Sequence, residues 1–203
     1  MQRAQRLIYA AAALWFFATS SGAATEAEAV AVVDGLQSAL IDAATLDLDD
    51  SIDALDGVVR AAHDLATMGR RTVNRRYWRA WSEAEQDRFI AAFARLSVTS
   101  YASRFANVTP ETFEILGGAL NADGRAEVQT VVHRADGSDD VSLDYLLQLV
   151  DGDWRIVNVF ADGVSELSLM ASEYFSILES GSLDDLVLEL EAQVAELLAS
   201  ESP

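Results

Sequence analysis

The spacing of apolar positions changes character twice along the chain. From about Thr25 to Leu46, from Ser51 to Ala66 and on to about Tyr77, apolar residues recur at helical intervals. Ser82-Glu83-Ala84-Glu85 then has capping-box spacing, a serine followed three residues later by a glutamate. The helix it starts should reach about Phe105, with Phe89, Ile90, Phe93, Leu96, Tyr101 and Phe105 on one side. Thr109-Pro110 opens the next turn.

Beyond Pro110 the period falls to two. Thr112–Leu116 is a short strand candidate, and Ala126–His133 alternates with Val128, Thr130 and Val132 on one face. The turn Ala135-Asp136-Gly137-Ser138 leads to Val141–Val150, where Val141, Leu143, Tyr145, Leu147 and Leu149 share a face. Asp151-Gly152-Asp153 signals a tight hairpin into Trp154–Ala161, whose alternation puts Trp154, Ile156, Asn158 and Phe160 together. After Gly163 the pattern is helical to Leu178, Gly181 stops it, and Ser182 caps a last helix with Asp185 three residues on. The stripe Leu183, Leu186, Val187, Leu190, Val194, Leu197 and Leu198 either closes the core or forms a movable cover over a cavity. Helices, then a meander, then helices make an α+β domain with helices packed on one sheet.

The N-terminus adds a compartment. Arg3 and Arg6 precede the apolar stretch Leu7–Ala18 and the small-residue run Thr19 to Ala24, the order of a secretory signal. The stretch is well short of the ~20 residues a spanning helix needs, so we expect a signal peptide over 1–23 and one domain over 24–203. With no cysteine, neither a disulfide nor lipid attachment after the apolar stretch is expected. Hydrophobic residues make up 51% of the chain, too many for a disordered one. All 14 basic residues are arginine, against 33 acids; without Arg3 and Arg6 the balance is 12 − 33 = −21. Such a field repels nucleic acid and anionic membrane surfaces.

Candidate chemistry is sparse. There is no thiol, and neither His63 nor His133 lies in a nucleophile setting. His63 and Asp64 are sequence neighbours that point apart on a helix, so His63 is expected at the surface or at a helix start. Asp47, Asp49 and Asp50 lack the glycine and closing glutamate of a calcium loop, and no phosphate-binding glycine loop occurs. No catalytic residue, metal or cofactor is expected. One cluster stands out: Arg70, Arg71, Arg75, Arg76 and Arg79 fall in one helical stretch beside Tyr77, Trp78 and Trp81. Arg71, Arg75 and Arg79, four residues apart, should share a face. That face is either solvated and ion-paired or a contact for an anionic headgroup or partner.

From His63 onward the chain carries an ordered set of segments. They are Asp64-Leu65-Ala66-Thr67-Met68, Tyr77-Trp78, Phe93-Ala94-Arg95-Leu96, Thr99-Ser100-Tyr101-Ala102-Ser103-Arg104-Phe105 and Phe113-Glu114-Ile115-Leu116-Gly117. Leu143-Asp144-Tyr145-Leu146-Leu147, Asp153-Trp154-Arg155-Ile156-Val157-Asn158-Val159, Asp162-Gly163-Val164-Ser165-Glu166-Leu167, Ser172-Glu173-Tyr174 and Ser176-Ile177-Leu178 follow. In these it resembles the MlaC family of periplasmic phospholipid-binding proteins, in particular the hopanoid-associated HpnM branch. It departs at Asn158, where an Asp is usual, and at Ala171, where an Arg is common.

The resemblance implies an NTF2-like fold, a curved antiparallel sheet with helices closing an apolar pocket for lipid tails. It also implies a phospholipid or hopanoid-like cargo. The implied partners are an inner-membrane ABC transporter with MCE domains and an outer-membrane lipoprotein complex. On that basis Phe89, Phe93, Leu96, Tyr101, Leu143, Tyr145, Leu147, Trp154, Ile156 and Phe160 are expected to contact the tails. Arg71, Arg75 and Arg79 are expected to contact the headgroup or a partner, and the carrier should be monomeric. A buried methylene is worth ~0.8 kcal/mol, so tails cross water only inside such a shelter. Two rivals remain: an enzyme using a buried Asp144 as base, which alternation points away from Tyr145, and a ligand-free adaptor with a solid interior.

Overall fold

The computed structural model describes residues 25–105, 112–134 and 137–200. The signal-peptide residues, the Thr109-Pro110 turn and half of the Ala135–Ser138 turn lie outside them. Helices α1 (Glu26–Ala43), α2 (Leu48–Ala62), α3 (Leu65–Thr72), α4 (Arg75–Ala80) and α5 (Glu83–Phe105) precede five strands. The strands are β1 (Thr112–Leu120), β2 (Ala126–His133), β3 (Val141–Val150), β4 (Asp153–Ala161) and β5 (Val164–Ser165), and α6 (Glu166–Ser180) and α7 (Leu183–Ser200) follow. The strands form one antiparallel sheet in sequence order, so the α+β architecture is as expected.

Local chemistry sets the element ends. Thr25 and Glu28 form a capping box on α1, and Ser82 and Glu85 form another on α5, with Ser82 N–H donating to Glu85 at 2.7 Å. Asp151 and Gly152 both take positive φ, 53° and 94°, the backbone a two-residue hairpin between β3 and β4 requires. The helical stretch expected to continue through Ala66 breaks at His63, whose backbone is extended and bridges to Ile156 in parallel. Asp64 then caps α3 through its side chain, 2.9 Å from Thr67 N, while its own N–H donates to Ile156 O at 2.9 Å.

The strand expected at Thr112–Leu116 runs on to Leu120, with a bulge between Ile115 and Gly117. A second bulge decides more. Leu147 pairs with Ile156 but Leu146 pairs with Asn158, so Val157 is an extra residue in β4. One inserted residue reverses which face every later side chain occupies. Trp154 and Ile156 point inward as predicted, but past Val157 the inward residue is Val159, and Asn158 and Phe160 face outward. The expected single face of β4 is therefore wrong in its second half.

The interior holds two apolar clusters. One packs the inner sheet face, including Val128, Tyr145, Leu147, Trp154 and Ile156, against α1 and α2. The other is helical, with Phe89, Phe93 and Leu96 of α5 against α3, α6 and α7. Helix α5 serves both. Its first half buries Phe89, Phe93 and Leu96, and its second half buries Val98, Ala102 and Phe105 from the other side of the helix.

Candidate functional site

Where α5 changes sides, the two clusters leave a gap, although Leu198 of α7 packs against both. The gap is a cavity of about 120 Å³. Leu65 and Met68 of α3, Phe93 and Leu96 of α5, and Leu167 and Met170 of α6 wall it from the helical side. Leu40, Phe105, Val132, Leu143 and Val159 wall it from the sheet side. Gly69 lets α3 come this close, since a Cβ there would lie 2.8 Å from Ile90 Cδ1 and 3.2 Å from the Phe93 ring. Kept empty and dry, such a void costs about 3 kcal/mol at ~24 cal/mol per Å³. Its volume is below the roughly 150 Å³ that holds a benzene ring, so a long chain enters only if the seam opens.

The wall is apolar except along one line. Ser97, Ser100, Tyr101 and Arg104, spaced as neighbours on one side of α5, face the cavity with His63 and Glu166. Of the two places expected for His63, the surface is wrong, since it is 4% exposed, but it does stand at a helix start, directly before the Asp64 cap of α3. Its Nδ1–H donates to Val59 O at 2.9 Å, which leaves Nε2 to accept from the Tyr101 hydroxyl at 3.1 Å. Burial lowers its pKa to about 4, against a smaller opposing effect of the Val59 bond, so the ring is neutral at pH 7. No spacing signal marks this partnership across 38 residues; it exists because α2 ends on β4. Burial also raises the Tyr101 hydroxyl, and raises the half-buried Glu166 carboxyl against the pull of Arg104.

Of the residues expected to contact tails, Phe93, Leu96, Tyr101 and Leu143 meet at this cavity. Phe89 lies deeper in the helical cluster, ringed by Trp78, Trp81 and Tyr174. Tyr145, Leu147, Trp154 and Ile156 are packed into the sheet cluster and do not line the cavity. Phe160 is on the opposite sheet face, beside Asp144 and Leu146, because of the Val157 bulge. Asp144 is on that outer face too, as alternation predicted, where its carboxylate accepts from Ser142 Oγ at 3.4 Å.

The arginine face does not exist as predicted. Val73 is extended and Asn74 caps a new helix, so Arg71 sits on α3 while Arg75 and Arg79 sit on α4. The guanidinium of Arg71 reaches Val157 O and Gln148 Oε1, each at 3.3 Å, tying the bulge down. Among the described residues none of Arg70, Arg71, Arg75, Arg76 and Arg79 forms an ion pair. Nor do the described residues hold a metal-sized cluster of acids and histidines, and no helix among them is long and apolar enough to cross a membrane.

The α7 stripe is seated, with Leu183, Leu186, Val187, Leu190 and Val194 buried against α5 and α6. Beside its last turns an open groove of about 390 Å³, floored by Tyr174, shares Leu96, Ser100 and Met170 with the cavity.

The phospholipid-binding protein from Ralstonia solanacearum, solved in complex with a phospholipid, superposes with a TM-score of 0.71. It is 20% identical, over 85% of this chain and 98% of that one, a likeness of fold. No curated protein matches the chain by sequence. The family model of the MlaC protein matches residues 31–192, from within α1 to within α7, and the chain belongs to the MlaC family.

Proposed function

We propose that this protein is an exported lipid carrier that shelters phospholipid tails in the cavity at the α5 seam. It exchanges them with membrane complexes in the periplasm. The observation that carries this reading is the void itself, apolar walls from both clusters with polar groups gathered along one line. Family membership and the phospholipid in the Ralstonia solanacearum protein support it. In this reading Phe93, Leu96, Tyr101 and Leu143 touch the tails first. Phe89, Tyr145, Leu147, Trp154 and Ile156 do so only as the seam widens. We extend the reading to the HpnM branch, to hopanoid-type cargo, and to hand-over between an ABC transporter with MCE domains and an outer-membrane lipoprotein complex. No catalytic residue is assigned.

The test is extraction. Protein purified from the periplasm without detergent should yield on the order of one lipid per chain by mass spectrometry, and its N-terminus should be Ala24 or Thr25. Met170→Trp fills the junction of cavity and groove and should lose that lipid while keeping the circular dichroism spectrum. Wild-type protein without lipid, or equal lipid in both proteins, ends the proposal.

A further inference from the structure

Two charged side chains line the cavity, Arg104 from the last turn of α5 and Glu166 from the first turn of α6. They belong to two different helices of the cavity wall. Among the described residues they form no ion pair with each other or with any other group. Arg104 is exposed and Glu166 half-buried, which places them where the apolar wall gives way to water. A lipid whose tails lay against Phe93 and Leu143 would reach water past these two side chains.

Resting on the carrier reading, we propose that among phospholipids this mouth selects those whose headgroup carries a primary ammonium beside the phosphate. Arg104 takes the phosphate as a planar, multidentate donor. Glu166 accepts N–H bonds from the ammonium. A half-buried carboxylate that no donor among the described residues contacts is a desolvated acceptor, and burial holds its pKa up. An ammonium brings both the countercharge and the missing donors. A quaternary ammonium brings the charge without an N–H, and a glycerol headgroup brings hydroxyls without the charge. The surrounding charge acts in the same direction, since 33 acids against 14 arginines disfavour a headgroup that stays anionic.

The test is competitive uptake. Purified protein is exchanged against excess vesicles of equimolar phosphatidylethanolamine, phosphatidylcholine and phosphatidylglycerol, repurified, and its bound lipid quantified by mass spectrometry. We expect phosphatidylethanolamine to be enriched about tenfold over phosphatidylglycerol, and less strongly over phosphatidylcholine. Glu166→Gln should bring the bound ratio to that of the vesicles, and Glu166→Asp should restore part of the enrichment. Arg104→Gln should lower uptake of all three. Asp53→Asn, which removes an exposed acid of α2 far along the chain from the mouth, should leave the ratio as in wild type. Wild-type protein that loads all three classes in vesicle proportion, or Glu166→Gln protein that keeps the enrichment, overturns the selectivity and leaves the carrier standing. Wild-type protein that takes up no lipid overturns the carrier reading, and the selectivity falls with it.

Discussion

The two apolar clusters are built by different rules, and the cavity lies where those rules meet. On the sheet side, Val128, Leu143, Tyr145, Leu147 and Ile156 are fixed at strand spacings while α1 and α2 lie across them and fill the space. On the helical side, Phe89 is surrounded by Phe93, Trp78, Trp81 and Tyr174, an aromatic centre that depends on how α6 and α7 rest on α5. Protein interiors pack as densely as crystals, so a void marks a boundary between two packed bodies that do not interdigitate. Here α5 crosses that boundary, and beside Phe93, Leu96 and Phe105 it presents the polar side chains of Ser97, Ser100, Tyr101 and Arg104 there. A joint that opens between two stable bodies can admit cargo without unfolding either.

The comparison breaks most visibly under truncation. Phe89→Ala, at 0% exposure, should cost about 3–5 kcal/mol, and Ile156→Ala in the sheet cluster about 2–5 kcal/mol. Leu167→Ala should cost less than Ile156→Ala by about 1 kcal/mol or more, because one side of Leu167 already faces the void and has fewer contacts to lose. Urea denaturation of lipid-free protein measures all three. Equal losses for Leu167 and Ile156 would mean that the seam is packed as well as the bodies it separates.

Acid acts at the boundary before it reaches the cores. His63 titrates near 4 in the folded protein against 6.5 when free. Between those values the unfolded chain binds a proton that the folded chain refuses. Stability is therefore fully present above about pH 6.5 and falls as the pH drops towards 4, by about 3 kcal/mol for this group. Glu166 has the opposite sign, because its raised pKa makes protonation favour the folded state. Urea midpoints for wild type and His63→Gln, each at pH 7 and pH 4.5, isolate the histidine contribution. The wild type should lose more on acidification, and parallel losses would put His63 in water instead of against Tyr101.

Much of this organisation was readable from spacing alone. Three strands, the Asp151-Gly152 hairpin, the α5 cap and the α7 stripe all follow from local rules, since each depends on neighbours within a few residues. What was not readable depended on contacts distant in sequence. Phe160 was misplaced because the Val157 bulge, tied down by Arg71 from α3, leaves no mark in the alternation of β4. The burial of His63 was missed because it comes from Ile156 and Tyr101, neither of which is local to it. The arginines at 71, 75 and 79 kept their four-residue spacing, but Thr72-Val73-Asn74 broke the helix that would have aligned them. The cavity wall was half legible for the same reason: Phe93, Leu96, Tyr101 and Leu143 stand out in the apolar spacing of α5 and β3, whereas Arg104 and Glu166, charged residues on different helices, reach one cavity only through tertiary packing.

The smallest expected effect falls on the element shared by both clusters. Ser82 and Glu85 cap α5 reciprocally, with Ser82 Oγ donating to the Glu85 carboxylate at 2.7 Å and accepting from Glu85 N–H at 3.4 Å. Those bonds also hold the Glu85 carboxyl below its ordinary pKa. Ser82→Ala should cost about 1 kcal/mol. The cap sits at the Phe89 end of a helix of 23 residues, roughly 30 Å from Arg104 at a 1.5 Å rise. Fraying there loosens the helical cluster and leaves the mouth intact. Thr25→Ala removes the equivalent box from α1, which belongs to the sheet cluster alone, at a similar cost. Hydrogen exchange separates the two: Ser82→Ala should speed exchange in the first turns of α5, and Thr25→Ala only in α1. If Thr25→Ala also loosened the start of α5, the clusters would be one cooperative body and the seam between them no joint at all.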